Sequence, residues 1–245
     1  MSSLGTGYDF SAMTFSPDGR VFQVEYAAKA VENSGTAVAI RCVDGVVFGV
    51  EKIIFSKLLE TSSNHRNFTI DKHTGLSFSG LAADARHLVN RARTEASNFK
   101  TFYGREISGK LLAQRLAQYI QNYTLYSFVR PFGCSLLLGK HLPNEKPSLF
   151  VLEPSGNFFG YKAYAVGRRK QQACTELGKL ALDSITMKEA LVAIARIIYT
   201  IYDESKDKEF SLEMSWIGSE TQFKHEIVPQ GIVDSVINSA KQKIS

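Results

Sequence analysis

Phe15-Ser16-Pro17-Asp18-Gly19-Arg20 leads straight into Val21-Phe22-Gln23-Val24-Glu25-Tyr26-Ala27. Ser16-Pro17-Asp18-Gly19 is a turn by mechanism, because proline fixes φ at its second position and glycine relieves its fourth. The spacing predicts a helix over 20–33, with Asp18 placed to cap it. Its apolar residues do not make a single stripe. Val21, Val24, Ala28 and Val31 lie on one side, and Phe22, Tyr26 and Ala30 on another. A helix that is apolar around most of its circumference is usually buried on several sides. Two covers satisfy that: its own domain alone, or its own domain and a second chain.

Composition bounds the rest. With 245 residues, 44% of them hydrophobic and 22% charged, the chain has the profile of a globular protein able to bury a core without staples. Cys42, Cys134 and Cys174 are odd in number and far apart, which argues against a disulfide framework or a structural zinc and suits a reducing compartment. The first residues carry neither the basic region nor the apolar run of a signal peptide. The most apolar late segment, 191–202, is short and holds Arg196, so no membrane span is expected. A formal charge of +5 raises the question of nucleic acid. The basic residues are scattered, however, and the densest run is only Arg168-Arg169-Lys170, so nucleic acid is not an expected partner.

In order along the chain, strands are expected over 36–41 and 46–50 around an Asp44-Gly45 turn, then over 68–70 and 76–78. Helices follow over 82–102 and, capped by Ser108, to about residue 126. Strands are read again over 133–139, 148–152 and 157–166, then helices over 168–182 and 187–203. The last of these opens on the capping box Thr186-Met187-Lys188-Glu189. Late strands over 210–217 and 225–228 precede a closing helix over 231–243, with Pro229 in its first turn. Two blocks of strands, each followed by a helix pair, predict an α+β fold. The economical assembly is a four-layer sandwich, two stacked antiparallel sheets between two helical layers, plus the extra N-terminal helix. A single sheet with helices on both faces also fits this pattern. No repeat or linker divides the chain, so residues 1–245 read as one domain, 1–35 forming a tail and helix and 36–245 the sandwich.

Tyr8-Asp9, Phe15 through Arg20 and Phe22 through Ala27 together resemble the N-terminal signature of proteasome alpha subunits. The runs 80–86, 123–133, 215–218 and 225–229 extend the resemblance, the last three being closest to the type-3 branch of that family. The resemblance favours the sandwich, known as the N-terminal-nucleophile hydrolase fold. It implies a non-catalytic member of a seven-membered alpha ring that caps the beta rings, closes the entry pore with its tails and receives the C-terminal tails of regulatory particles. It further implies a role in ubiquitin-dependent protein degradation, a location in cytoplasm and nucleus, and no cofactor. By position, Tyr8, Asp9, Pro17 and Tyr26 would stabilise the open pore. Gly80, Leu81 and Arg66 would form one side of the activator pocket, while Glu25 would face the neighbouring subunit's pocket. Position 66 is usually lysine in the family, and a planar guanidinium fork is not a compact ammonium.

Beta subunits of this fold use an N-terminal threonine as nucleophile and base. Here Thr36 follows thirty-five residues that carry the retained signature, and alignment on the Gly45 turn puts the nucleophile's place at Gly35. The segment 58–71, where the catalytic lysine would fall, has no lysine, and Glu51 stands where an aspartate is expected. The five histidines have no metal-ligand spacing. Buried structural cysteines are expected rather than a Cys–His pair.

Overall fold

The computed structural model describes residues 7–60, 63–203 and 207–242. Among the described residues, ten strands form two antiparallel sheets. One runs β10 (Glu226–Ile227), β9 (Phe210–Gly218), β2 (Gly45–Ile53), β1 (Ala37–Arg41), β8 (Ala163–Val166). The other runs β3 (Asn67–Asp71), β4 (Thr74–Gly80), β5 (Cys134–Lys140), β6 (Ser148–Leu152), β7 (Phe158–Gly160). Period-two alternation sorts the side chains. Val38, Ile40 and Val47 join the core beneath α4 (Lys170–Leu177), α5 (Met187–Ile201) and α6 (Gln230–Gln242), whereas Ala37, Ala39, Val46, Phe48 and Val50 meet Leu137, Leu149 and Val151 of the other sheet. Leu136 and Leu138 point the opposite way from Leu137, into the core under α2 (Ala82–Tyr103) and α3 (Gly109–Asn122). The expected four layers are present, and the single-sheet alternative is not.

The stretch 157–166, read as strand throughout, is two strands in different sheets. β7 pairs with β6, and β8 pairs with β1. Residues 161–162 therefore carry the chain from one sheet to the other, a change of partner that composition does not encode. The helix expected over 168–182 is only Lys170–Leu177, because Arg169 takes a left-handed φ of 57° and Gly178 closes it. The helix after Ser108 stops at Asn122 rather than near 126. Thr124 folds back there, its N–H and hydroxyl both donating to the Gln121 carbonyl (2.8 and 2.7 Å). The Ser108 cap and the Thr186–Glu189 capping box form as expected. Pro229 sits one residue ahead of α6, its carbonyl accepting from Ile232 and Val233, and Lys243 of the expected closing helix lies outside the described residues.

The opening helix, α1, spans Phe22–Glu32, shorter than expected at its start, and Asp18 does not cap it. Ser16 takes over: its carbonyl accepts Gly19 N–H (2.9 Å) and its hydroxyl accepts Arg20 N–H (3.0 Å), leaving Asp18 at the exposed tip of the turn. Val21 is the N-cap and has no side-chain oxygen to offer. The two apolar sides named from sequence are each only partly covered by the chain's own domain. Phe22 and Ala27 are buried together with Val31, while Val24 and Ala28 stay half-open and Tyr26 is 41% exposed.

His225 reaches the space between the sheets after a reversal in which Gln222 and Phe223 both adopt left-handed φ (52° and 59°). His73 Nδ1, 2.6 Å from the Phe223 carbonyl, anchors that turn. The His225 ring packs on Gly75 and edge-on to Phe48, with Nδ1 2.7 Å from Thr69 Oγ1. Burial pushes its pKa down to about 4, the Asp71 carboxylate pulling the other way. The folded chain thus holds a neutral imidazole, whereas the unfolded chain protonates it near 6.5. The stabilising contribution is complete above pH 6.5 and is lost as pH falls from there towards 4, roughly 3 kcal/mol in all. Denaturant midpoints measured across that window should fall in the wild type. His225→Gln should be weaker at pH 7.5 but flatter below it; an equally steep decline would place the acid sensitivity elsewhere.

Candidate functional site

The N-terminal signature gathers part of the expected gate cluster. Tyr26 donates its hydroxyl to Asp9 Oδ2 at 3.2 Å, and the Gln23 amide donates to the Asp9 carbonyl. Partial burial raises the Tyr26 pKa, and the Asp9 carboxylate raises it further. Tyr8 (42% exposed) and Pro17 face solvent on the same segment.

Arg66, Gly80 and Leu81 do converge. They line a cavity of about 600 Å³ between α1, β2 and the start of α2. Gly80 has a φ of +116°, and a side chain there would collide with the Gly133 carbonyl, so the backbone turns sharply from β4 into α2. That turn presents the Gly80 carbonyl to Arg66 Nη1 at 3.2 Å. The guanidinium also lies over the Phe78 ring, 4.9 Å from its centroid, and the Arg66 amide donates to Glu213. Burial lowers the Arg66 pKa, and Glu213 pulls the other way. Glu25 belongs to a different place. It pairs with Arg20, whose hydrogen bond holds its carboxyl below the usual carboxylate range, and it lines a separate groove of about 340 Å³ beside Val24 and Lys170.

At the back of the cavity lie Gly35, where the nucleophile's place was expected, and its neighbour Thr36. A side chain on Gly35 would run into the Glu51 carbonyl oxygen. Thr36 is buried. Its nitrogen is a peptide amide donating to Glu51 Oε2 (2.9 Å), and its hydroxyl donates to the Arg168 carbonyl (2.6 Å). Ser79 Oγ donates to the Gly35 carbonyl at 2.7 Å, closing a knot of backbone and side chain around Gly35 and Thr36. Nor is a reactive thiol at hand in Cys42 or Cys134, because burial pushes both pKa values up. Among the described residues no three His, Cys, Asp or Glu side chains gather as a metal site, and no helix is long and apolar enough to cross a membrane.

Sequence reasoning missed three residues that line the same cavity, Phe55, Arg168 and Lys208. Phe55 and Lys208 lie just beyond the paired ends of β2 and β9, where Ile53 faces Phe210 and Ile54 N–H donates to the Glu209 carbonyl (2.9 Å). Only that long-range register brings them side by side.

Comparisons with known proteins agree with this geometry. A family model described as "Proteasome subunit" matches residues 31–217, and the model for the N-terminal signature of A-type proteasome subunits matches residues 8–30. The alpha type-3 proteasome subunit of Acanthamoeba castellanii is 50% identical over 242 residues, covering 99% of this chain and 96% of the relative. The protein of the same name from Spinacia oleracea is 50% identical over 241 residues, 98% of this chain and 95% of the relative. The probable alpha type-7 proteasome subunit of Saccharomyces cerevisiae is 47% identical over 249 residues, all of this chain and 86% of the relative. With α1 and its preceding turn carrying the alpha signature and the sandwich carrying the subunit fold, the chain belongs to the proteasome subunit family, on its alpha side.

Proposed function

We propose that the chain is a non-catalytic subunit of the alpha ring of a proteasome core particle. There it helps assemble a seven-membered ring on the beta rings, contributes its tail to the entry gate, and offers the Arg66–Gly80–Leu81 cavity to the C-terminal tail of a regulatory particle. The observation that carries this reading is the signature over residues 8–30, folded as a turn and helix that keeps Val24, Ala28 and Tyr26 open to a neighbour. Thr36 supports the non-catalytic part. A nucleophile of this fold needs a free amine as its base, and the Thr36 nitrogen is an amide already bonded to Glu51. The work is ubiquitin-dependent protein breakdown in cytoplasm and nucleus, with neither cofactor nor nucleic acid involved.

Native mass spectrometry of the complex that co-purifies with a tagged chain tests the reading. The expected species contains one copy in each ring of seven alpha-type chains, joined to beta-type chains. The chain alone should hydrolyse no fluorogenic peptide. A free monomer with no other subunit attached, or hydrolysis that disappears in Thr36→Ala, would overturn it.

A further inference from the structure

The turn ahead of α1 is fastened at two levels. Within it, the Ser16 N–H donates to the Arg20 carbonyl (2.9 Å) and the Arg20 N–H donates to the Ser16 hydroxyl (3.0 Å), so Pro17, Asp18 and Gly19 form a closed loop between them. Outside it, the Arg20 side chain reaches forward along the first turn of α1. Its Nε donates to Glu25 Oε1 at 2.8 Å and its Nη2 donates to Oε2, a two-pronged fork. The guanidinium carbon lies over the Phe22 ring, 4.8 Å from the centroid. Phe22 in turn stacks on Tyr26, whose hydroxyl bonds Asp9 of the tail. One side chain therefore connects the turn, the helix and, through two rings, the tail.

Stability does not explain this arrangement. The Arg20 and Glu25 side chains are 42% and 40% exposed, and an ion pair in that setting adds little to a fold. What a bidentate fork adds is direction, because a planar guanidinium on a planar carboxylate fixes angle as well as distance. The ordinary link between a turn and the helix it enters is missing, since Val21 offers the N-cap no side-chain oxygen and Asp18 stays exposed. Phe22 is buried against the sandwich, so the ring under Arg20 is a fixed support. Resting on the gate role given above, we propose that Arg20 is a positioning residue of the entry gate. Its fork on Glu25 sets the Ser16–Gly19 turn, and Pro17 with it, against α1, and so fixes the direction in which the tail leaves the domain. Released, the turn no longer holds Pro17 in one place, and the open arrangement that uses Pro17 becomes less populated.

The test uses assembled core particles in which this chain carries Arg20→Gln, Glu25→Gln or both, each with the tail intact and with residues 1–11 removed. Two quantities are read: hydrogen exchange at the Gly19 and Arg20 amides, and the rate at which a fluorogenic peptide is cleaved inside the particle. With the tail intact, either single substitution should speed exchange and slow cleavage, each about threefold, the span that an exposed pair can command. The double variant should add nothing to either single one, because both remove the same bond. Without the tail, Arg20→Gln should still speed exchange but no longer slow cleavage, a dependence that a merely structural role would not show. Unchanged exchange overturns the proposal, as does cleavage that stays the same or quickens while the tail is intact. Equal slowing with and without the tail, or additive effects of the two substitutions, also overturns it. The tail deletion in the otherwise unaltered chain checks the reading beneath: if it leaves cleavage unchanged, the gate role itself fails.

Discussion

A chain lacking residues 1–33 should stay soluble, melt cooperatively at a lowered temperature, and fail to enter a ring. α1 buries Phe22, Ala27 and Val31 on its own sandwich, so its loss costs that body about 1.5–3 kcal/mol for each of the two large side chains. A chain of this size can bear that and remain folded. Assembly cannot bear it in the same way, because Val24, Ala28 and Tyr26 are the open side of the helix and leave with it. Removing only residues 1–11 leaves α1 whole. It should spare assembly and instead speed peptide entry into the particle, through loss of the tail that closes the pore; the bond between Asp9 and Tyr26 goes with it, but that bond favours the open state and its loss works the other way. Native gels separate the two deletions. Full rings from the longer deletion would mean that α1 caps its own domain and nothing more.

Asp84→Ala should be the most damaging single substitution among the surface-reaching acids. Asp84 stands in the first turn of α2, where the helix dipole favours a carboxylate. Its Oδ2 accepts the Gly133 amide at 2.8 Å, and both of its oxygens accept from Arg130 (2.6 and 2.8 Å). Burial alone would raise its pKa, but those hydrogen bonds win and the value is lowered. The Arg130 side chain is 61% exposed, so the ion pair itself contributes little. The cost lies in the buried Gly133 N–H at the head of β5, left without an acceptor. That loss and the lost dipole interaction together come to about 2–4 kcal/mol. For a chain of this length the melting temperature should drop by about 5–15 °C, with Asp84→Asn intermediate. The equally paired but exposed Asp183, held by Lys162, should tolerate alanine without measurable change. A drop no larger for Asp84 than for Asp183 would refute this account.

Local chemistry was legible where it acts over a few residues. Thr186 with Glu189, Ser108 and the Ser16–Gly19 turn all announced themselves, since the bond partners lie three or four positions apart. The alternation of Val46, Val47 and Phe48 gave the stacking of sheets and helices without saying which strand would lie beside which. Asp18 misled because Ser16, two residues earlier, competes for the same turn. The break at 161–162 was invisible because the residues on both sides of it suit a strand equally well. Of the candidate site, Arg66, Gly80 and Leu81 were legible through family wording. Phe55, Arg168 and Lys208 were not, because nothing near them in sequence shows that the cavity exists. The inward commitment of Arg66 depends on Phe78 and on the backbone turn at Gly80, both contributed by β4 and its end.

The strand order also sets a timetable for the nascent chain. The sheet from β3 to β7 joins consecutive strands, so each finds its partner as soon as the next emerges. The other sheet cannot do this. β1 and β2 form a hairpin early, but one edge waits for β8 and the other for β9, near the end of synthesis. The waiting edge on β2, Gly45–Ile53, becomes wholly buried in the finished fold and is mostly apolar. Until β9 arrives it is an open, adhesive strand edge of the kind that recruits wrong partners. The seam that brings Phe55 and Lys208 to the cavity mouth is therefore among the last that a ribosome lets close.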